Sequence, residues 1–151
     1  MSAPIRNSAK AVIVRDDALL LIRKDDPAGT PYYIFPGGGQ AKFEDLRSTL
    51  RRECLEEIGC AVQVGDLLWV REYIGRNHEF AAVAADVHQV EFYFACQLAE
   101  GVQPGNGPMM DHGQVGVEWV ALAEIGSKPI YPLSLRAEFI KPSRVYLGDA
   151  N

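Results

Sequence analysis

The sequence predicts a single α+β domain, and three features of the chain support this prediction. Apolar residues recur at every fourth position from Leu46 to Ile58, which is the stripe of an amphipathic helix. Residues 88–98 alternate between apolar and polar side chains, which is typical of a β-strand. The length of 151 residues fits one domain, residues 1–151, that is large enough to bury a core.

Shorter patterns predict the other elements. Two apolar runs on either side of Asp16-Asp17 predict a β-hairpin. Residues 100–113 contain four glycines and two prolines, so they predict a loop that is long enough to act as a lid. We expect helical turns within residues 75–86 and 121–125, and no regular element in residues 141–151. The predicted strands are residues 11–15, 18–23, 33–35, 62–74 (as one strand or two), 88–98 and 115–120, and a short second helix is predicted at residues 133–140.

The composition limits the classes of partner. The formal net charge of −5 disfavours binding to nucleic acid polymers or to anionic membranes. The three cysteines form no C-x-x-C pattern, so neither a disulfide framework nor a zinc site is indicated. The sequence contains no apolar run near 18 residues and no signal-peptide pattern. We therefore expect a cytoplasmic protein.

Three acids of the predicted helix, Glu53, Glu56 and Glu57, lie beside its apolar stripe. Like charges at this spacing repel one another, and Arg51 and Arg52 can balance only part of the charge. Mg²⁺ prefers oxygen ligands, and its coordination shell can include both carboxylates and substrate phosphates. A glycine run just before the helix exposes backbone groups nearby. The pattern therefore indicates a site for metal and phosphate. The alternative is a solvated acidic face, which is the commoner meaning of such a string of acids when it occurs alone.

A regular spacing of glycine and charged residues extends through residues 38–60. Five residues separate the first glycine from the first acid, and seven more separate that acid from an Arg-Glu pair. The arrangement resembles the signature of the Nudix (MutT-like) hydrolases, and every fixed-type position of that signature is matched. These positions are Gly38, Glu44, Arg52, Glu53, Glu56, Glu57 and Gly59.

The chain also departs from the pattern of this family in two ways. Cys54 and Cys60 occupy positions that are usually aliphatic, but a buried thiol behaves as a small apolar group. Many members carry Glu and Gly in the loop, where this chain has Ala41 and Phe43. The missing glycine predicts a different loop path, and the missing acid removes one possible outer ligand of the metal.

The resemblance implies the Nudix fold, a mixed β-sheet sandwiched between helices, and hydrolysis of a nucleoside diphosphate linked to another group. It implies that Glu53, Glu56 and Glu57, with the carbonyl oxygen of Gly38, hold Mg²⁺, for which Mn²⁺ can substitute. Arg52 would hold a glutamate, either Glu44 or Glu53.

Glu53 is the candidate general base within the signature. The alternatives outside it are Asp111, His112, Glu118 and Glu91. The residues expected to bind substrate are Arg23, Gly37, Gly38 and Gly39.

The identity of the substrate is inferred within this family by elimination. Subgroups that act on ADP-ribose tend to carry a proline about sixteen residues past the signature, and no proline occurs between Pro36 and Pro104. The pattern favours a nucleoside triphosphate or a related nucleotide as a small-molecule partner, with a homodimer as a possible assembly. Two alternatives stay open: a non-catalytic Nudix-fold module that binds a nucleotide, and an isopentenyl-diphosphate isomerase.

Overall fold

The structure is a computed structural model that describes residues 3–151. Four strands precede the first helix and the later helices lie between strands, while two short 3₁₀ helices, Gly75–Asn77 and Leu122–Ser127, lie in connections. The strands are β1 (Arg6–Arg15), β2 (Ala18–Asp25), β3 (Pro31–Ile34), β4 (Gly37–Gly39), β5 (Val62–Ile74), β6 (His88–Leu98), β7 (Gln114–Ala121), β8 (Ile130–Tyr131) and β9 (Tyr146–Asp149). The helices are α1 (Leu46–Ile58), α2 (Ala81–Ala84) and α3 (Leu135–Ile140).

The strands of the described residues form one mixed sheet that divides into two parts at β1 and β2. The main path is β8-β3-β2-β1-β6-β5-β9, while β4 pairs with β1 and β7 pairs with β2. β1 contacts β2 only near the turn, at Val14 and Arg15. Before that point β1 pairs with β4 and, in parallel, with β6. The glycine run is therefore held as a strand against β1.

The predicted hairpin is confirmed, and its turn has an evident cause. Asp16 and Asp17 have φ angles of 50° and 59°, which is the left-handed pair of a two-residue turn whose twist suits the flanking strands. Aspartate tolerates this conformation better than most side chains do. The two strands then separate into the two parts of the sheet.

Both faces of the sheet are covered, which confirms the predicted sandwich of a mixed sheet between helices. The apolar stripe of α1 packs on one face, together with residues of β1, β2 and β6. Leu135 and Phe139 of α3 pack on the other face, in a cluster that includes Tyr93. Alternation along β6 therefore separates two buried faces, rather than a buried face from a solvated one.

Residues 141–151 are not a tail, and the prediction that they lack a regular element is wrong. β9 pairs in parallel with β5, and Leu147 is buried in the cluster beneath α3. The backbone oxygen of Ala150 accepts a hydrogen bond of 2.6 Å from Arg71. A four-residue strand is too short to produce a recognisable pattern, so its partners decide its structure.

The other departures from the predicted elements are small. Residues 62–74 form one strand, β5, with register shifts between Val64 and Leu67 and between Leu67 and Trp69. The expected helical turns occur as α2 and the second 3₁₀ helix.

Among residues 3–151, no helix is long and apolar enough to cross a membrane.

Candidate active site

Helix α1 is fixed at both ends and along one side, and this fixes the direction of its acids. The carboxylate of Asp45 accepts a hydrogen bond of 2.7 Å from the backbone N–H of Ser48, which caps the first turn and lowers the pKa of Asp45. Gly59 ends the helix with a φ of 67°, a left-handed conformation that glycine adopts at little cost. Leu50, Cys54 and Ile58 of the stripe are fully buried, which leaves the acids beside β4.

The glycine run of β4 lies directly against two of these acids. The backbone N–H of Gly37 donates a hydrogen bond of 2.7 Å to Oε1 of Glu57. A Cβ atom on Gly38 would lie only 2.6 Å from the carboxylate carbon of Glu53, so a larger residue at this position would displace that carboxylate. The structure thus brings together Gly37, Gly38, Glu53 and Glu57, which the sequence assigned to one site.

Arg52 is the only arginine of the described residues that forms ion pairs with the acids of this helix. Its guanidinium donates hydrogen bonds to Glu44 at 2.6 Å, to Glu53 at 2.9 Å and to the carbonyl oxygen of Gly39 at 3.1 Å. A longer contact of 3.4 Å reaches Glu56. The hydrogen bond to Glu44 is the main reason why the pKa of Arg52 lies above its usual range.

Glu44 is the anchor of this arginine. Arg52 is the main reason why the pKa of Glu44 falls to about 2, so Glu44 is ionised at neutral pH. The Glu44 carboxylate also accepts hydrogen bonds of 2.9 Å from the backbone N–H of Ala41 and the hydroxyl of Thr49. Glu44 therefore holds Arg52 through Nε and Nη2, which leaves Nη1 to contact the other acids.

Glu57 has a different environment from the acids that Arg52 contacts. Its side chain is 3% exposed, and no cation of residues 3–151 forms an ion pair with it. Burial raises its pKa to about 7, although the hydrogen bond from Gly37 and the charge of Lys10 oppose this shift. A buried carboxylate that lacks a counter-charge is costly, so a bound cation would relieve a cost that the fold itself creates.

The acids do not yet converge as metal ligands. Within residues 3–151, no group of three His, Cys, Asp or Glu side chains has the geometry of a metal site. Glu53 and Glu56 contact Arg52, whereas Glu57 contacts Gly37. The donors fit a hard divalent cation in type and position along the helix, and binding would require the carboxylates of Glu53, Glu56 and Glu57 to move closer together.

The loop between β6 and β7 lies along the end of α1. Its backbone N–H groups at Gly105, Gly107 and Met109 donate to the carbonyl oxygens of Ile58, Glu57 and Glu56 at 3.2, 2.9 and 2.8 Å. These are carbonyls that a helix end leaves without partners. The loop thus fixes the backbone of two of the acids.

Gln114 makes a further contact that the sequence did not reveal. Its amide nitrogen donates to the carbonyl oxygen of Glu57 at 2.9 Å and to the side chain of Asn106 at 3.0 Å. A single buried glutamine after a loop carries no recognisable pattern. The only available signal was the high glycine content of the loop, which permits its close approach to α1.

Three of the four alternative base candidates are already paired. Asp111 forms an ion pair of 2.7 Å with Lys24. Glu118 accepts hydrogen bonds from Tyr33 at 3.0 Å and Arg23 at 3.4 Å. Glu91 is buried and forms an ion pair of 2.6 Å with Arg71.

His112 is exposed in the loop. Arg23, predicted to bind substrate, contacts Asp25 and Glu118 and makes no hydrogen bond to a residue of α1 or β4 in the described chain.

Comparison with known proteins identifies the family. The NUDIX domain model matches residues 4–140, which is most of the chain. The chain belongs to the NUDIX family. No curated protein sequence matches the chain closely enough to count as a relative.

Solved structures of NUDIX proteins share the fold at low sequence identity. A NUDIX hydrolase from Nitrosomonas europaea has a TM-score of 0.71 and 20% identity, with 95% of this chain and 93% of that chain covered. A MutT NUDIX hydrolase from Burkholderia pseudomallei has a TM-score of 0.68 and 23% identity, with 92% and 100% covered. An ADP-ribose pyrophosphatase from Streptococcus suis has a TM-score of 0.60 and 16% identity, with 97% and 98% covered.

These matches confirm the Nudix fold that the signature implied. The family match and the hydrolase neighbours support a pyrophosphohydrolase. Nudix hydrolases generally use divalent metal ions and act on small nucleotide substrates. The neighbours differ in their named activities, so the substrate has to be inferred from this chain.

Proposed function

We propose that this NUDIX protein is a Mg²⁺-dependent hydrolase that cleaves a diphosphate linkage in a nucleoside diphosphate derivative. Mn²⁺ would substitute for Mg²⁺. The favoured substrate is a nucleoside triphosphate or a related nucleotide. The observation that carries the proposal is the buried carboxylate of Glu57, which lies against the glycine run and has no cationic partner in the described chain.

The metal would be held by Glu53, Glu56 and Glu57 with the carbonyl oxygen of Gly38. A bound divalent cation would neutralise charge on the diphosphate and lower the pKa of a coordinated water. Arg52 would hold the glutamates in position, and Glu44 would hold Arg52 through its 2.6 Å contact. These residues position and stabilise charge, which is what phosphoryl chemistry chiefly requires.

Glu53 is the proposed general base. Its carboxylate is held 2.9 Å from Arg52 and lies against the backbone of Gly38, so it is oriented before substrate binds. Asp111, Glu118 and Glu91 would each have to leave an existing partner to act as the base. The glycine run would bring its backbone groups close to the substrate; its residues are Gly37, Gly38 and Gly39. We also propose that Arg23 contacts a phosphate of the substrate.

An aromatic cavity of about 570 Å³, whose lining includes no residue of α1 or β4, is the proposed place for the base of a nucleotide. Four aromatic side chains line this cavity: Tyr32, Tyr73, Phe80 and Tyr131. The ring of Tyr131 contacts the rings of Tyr32 and Phe80 edge-on. A cavity of this size and lining suits a planar base. Tyr33 and Phe35, in contrast, are buried in the core.

A panel experiment tests the proposal directly. The protein is incubated with nucleoside triphosphates, nucleoside diphosphate sugars, ADP-ribose and dinucleoside polyphosphates in Mg²⁺, and the products are identified by mass. We expect cleavage within a diphosphate linkage that stops in excess chelator. Turnover that continues in chelator would contradict the metal assignment. Absence of any turnover, together with nucleotide binding, would favour the non-catalytic sensor.

Further parts of the proposal concern the setting of the enzyme. We expect a cytoplasmic protein that binds a small nucleotide rather than a nucleic acid polymer or a membrane, because the net charge of −5 disfavours both polyanionic partners. A homodimer is the possible assembly, and sedimentation of the purified protein tests it.

A further inference from the structure

Arg6, at the start of β1, lies against the glycine run. A Cβ atom on Gly39 would collide with the guanidinium of Arg6, so the guanidinium crosses the face of this glycine. The carbonyl oxygen of the same glycine accepts a hydrogen bond of 3.1 Å from Arg52. Arg6 therefore lies against Gly39, whose neighbour Gly38 lies against the carboxylate of Glu53.

The charge of Arg6 has no partner within the described chain. Arg52, Arg71 and Arg23 each contact acids, whereas the Arg6 side chain forms no ion pair or hydrogen bond with residues 3–151. Lys42, nearby in the loop, forms no ion pair there either, and its ammonium lies 5.1 Å from the ring centre of Phe43. The acid of this loop, Glu44, is already neutralised by Arg52.

These side chains border a groove of about 840 Å³ between the segment 3–7 and the loop 40–44. The groove thus has an excess of positive charge on a protein whose net charge is negative. Phe43 also stands in the loop with a φ of 73° and a side chain that is 96% exposed. A bulky residue in this conformation is strained, and the Phe43 side chain gains no burial within the described chain that would offset the strain. Uncompensated backbone strain of this kind is typical of ligand-binding segments.

We infer that Arg6, with Lys42, forms an anion subsite for a phosphate group of the substrate beyond the diphosphate held at the acid cluster. The inference rests on the proposed hydrolase activity and specifies its substrate: a polyphosphate chain longer than two phosphates. A planar guanidinium matches two oxygens of one phosphate. A nucleoside triphosphate has such a group, whereas a nucleoside diphosphate sugar presents a neutral sugar there.

The main test compares Arg6→Gln with Arg144→Gln, which removes an equal charge from an exposed arginine far along the sequence. Calorimetry with inorganic tripolyphosphate and with pyrophosphate, each in Mg²⁺, measures binding without turnover. We expect Arg6→Gln to weaken tripolyphosphate binding about 10- to 100-fold and pyrophosphate binding much less, and Arg144→Gln to change neither. Equal binding of tripolyphosphate by Arg6→Gln and Arg144→Gln would overturn the inference.

Two further variants separate position from charge. Gly39→Ala would displace the guanidinium while keeping its charge, and we expect it to weaken tripolyphosphate binding as Arg6→Gln does. Arg6→Lys keeps the charge but not the planar fork, so we expect partial recovery of binding. Full binding by Gly39→Ala would show that the observed position of Arg6 has no role.

Kinetics distinguish this inference from the proposed function. If a nucleoside triphosphate is cleaved, Arg6→Gln should raise its KM about 10- to 100-fold and leave the KM of a nucleoside diphosphate sugar unchanged. Cleavage with an unchanged KM for the triphosphate would overturn the subsite and leave the hydrolase assignment standing. If no derivative is cleaved, the proposed function fails, and the calorimetry still decides whether Arg6 binds phosphate.

Discussion

Arg52 and Arg71 each contact glutamate side chains, but the two clusters differ in charge balance. Arg71 is buried and forms an ion pair of 2.6 Å with one buried acid, Glu91. The carboxylate of Glu91 also accepts a hydrogen bond from Tyr93. Arg52 faces three acids, and a fourth, Glu57, lies beside them without a cation. The first cluster is balanced, and its partners are complete. The second has an excess of negative charge that the fold tolerates beside a glycine run.

The pKa of the buried acid distinguishes the structural cluster around Arg71 from the functional cluster around Arg52. Burial is the largest single influence on the pKa of Glu91 and raises it, but the charges of Arg71 and Lys10 and the hydrogen bonds from Arg71 and Tyr93 together outweigh burial, so this pKa lies below its ordinary value. Burial of Glu57 is offset only in part, by the hydrogen bond from Gly37 and the charge of Lys10, and its pKa rises to about 7. Replacing one member should therefore damage stability in the balanced cluster and activity in the acidic cluster.

The largest expected effect is on activity, in the acidic cluster. Glu53→Gln should lower kcat about 10²- to 10⁴-fold, the range for loss of acid–base assistance, with little change in KM because the interaction matters mainly in the transition state. The measurement uses one cleaved substrate at saturating Mg²⁺. Asp111→Asn and Glu118→Gln are the matched acids outside the signature. A larger loss of kcat in either of these would place the base outside the signature.

The next effect is on stability, in the balanced cluster. Glu91→Gln leaves the charge of Arg71 buried without a counter-charge, which should lower the free energy of unfolding by about 3–5 kcal/mol. Unfolding in urea measures this change. Arg71→Met combined with Glu91→Leu removes both charges and should recover much of the loss. A small effect of Glu91→Gln alone would mean that the pair does not stabilise the fold.

A smaller effect concerns pH and again separates the clusters. Between pH 4.5 and about 7, folded Glu57 retains a proton that the unfolded chain has released. Rising pH in this window should therefore lower the free energy of unfolding of the metal-free protein, by up to about 1.4 kcal/mol per pH unit. Glu57→Gln should lack this slope because it cannot titrate. Parallel pH profiles of the two proteins would show that burial of Glu57 has no cost.

The two clusters also differ in how far the sequence could predict them. The acidic cluster lies on one helix and the short strand before it, so helical periodicity and the signature spacing indicated Glu53, Glu56, Glu57 and Gly38 together. The balanced cluster joins Arg71 to Glu91, 20 residues away, and to Ala150, 79 residues away. Such contacts depend on how strands pair, and no local pattern encodes this pairing.

Other parts of the structure follow the same rule. The helix α1, the hairpin at Asp16-Asp17 and strand β6 were predictable because each has a local pattern. The strand β9 was not, because four residues gain their structure from β5. The contact of Gln114 with the backbone of Glu57 spans 57 residues and was likewise hidden. The position of Arg6 beside β4 could not be predicted from the sequence either, because it depends on the pairing of β1 with β4.

The central claim is that the acidic cluster binds a divalent cation, and thermal unfolding of Glu56→Gln combined with Glu57→Gln tests it most directly. Mg²⁺ or Mn²⁺ should raise the melting temperature of the wild-type protein, since a ligand at about 100 times its Kd adds about 2.7 kcal/mol of stability. Without metal, the double variant should be folded and melt at or above the wild-type temperature, because a buried charge and like-charge repulsion are removed. Added metal should then leave its melting temperature unchanged, while Glu100→Gln combined with Glu124→Gln, two exposed acids elsewhere, should respond as the wild type does. An equal response to metal in both double variants, or none in the wild type, would contradict the claim.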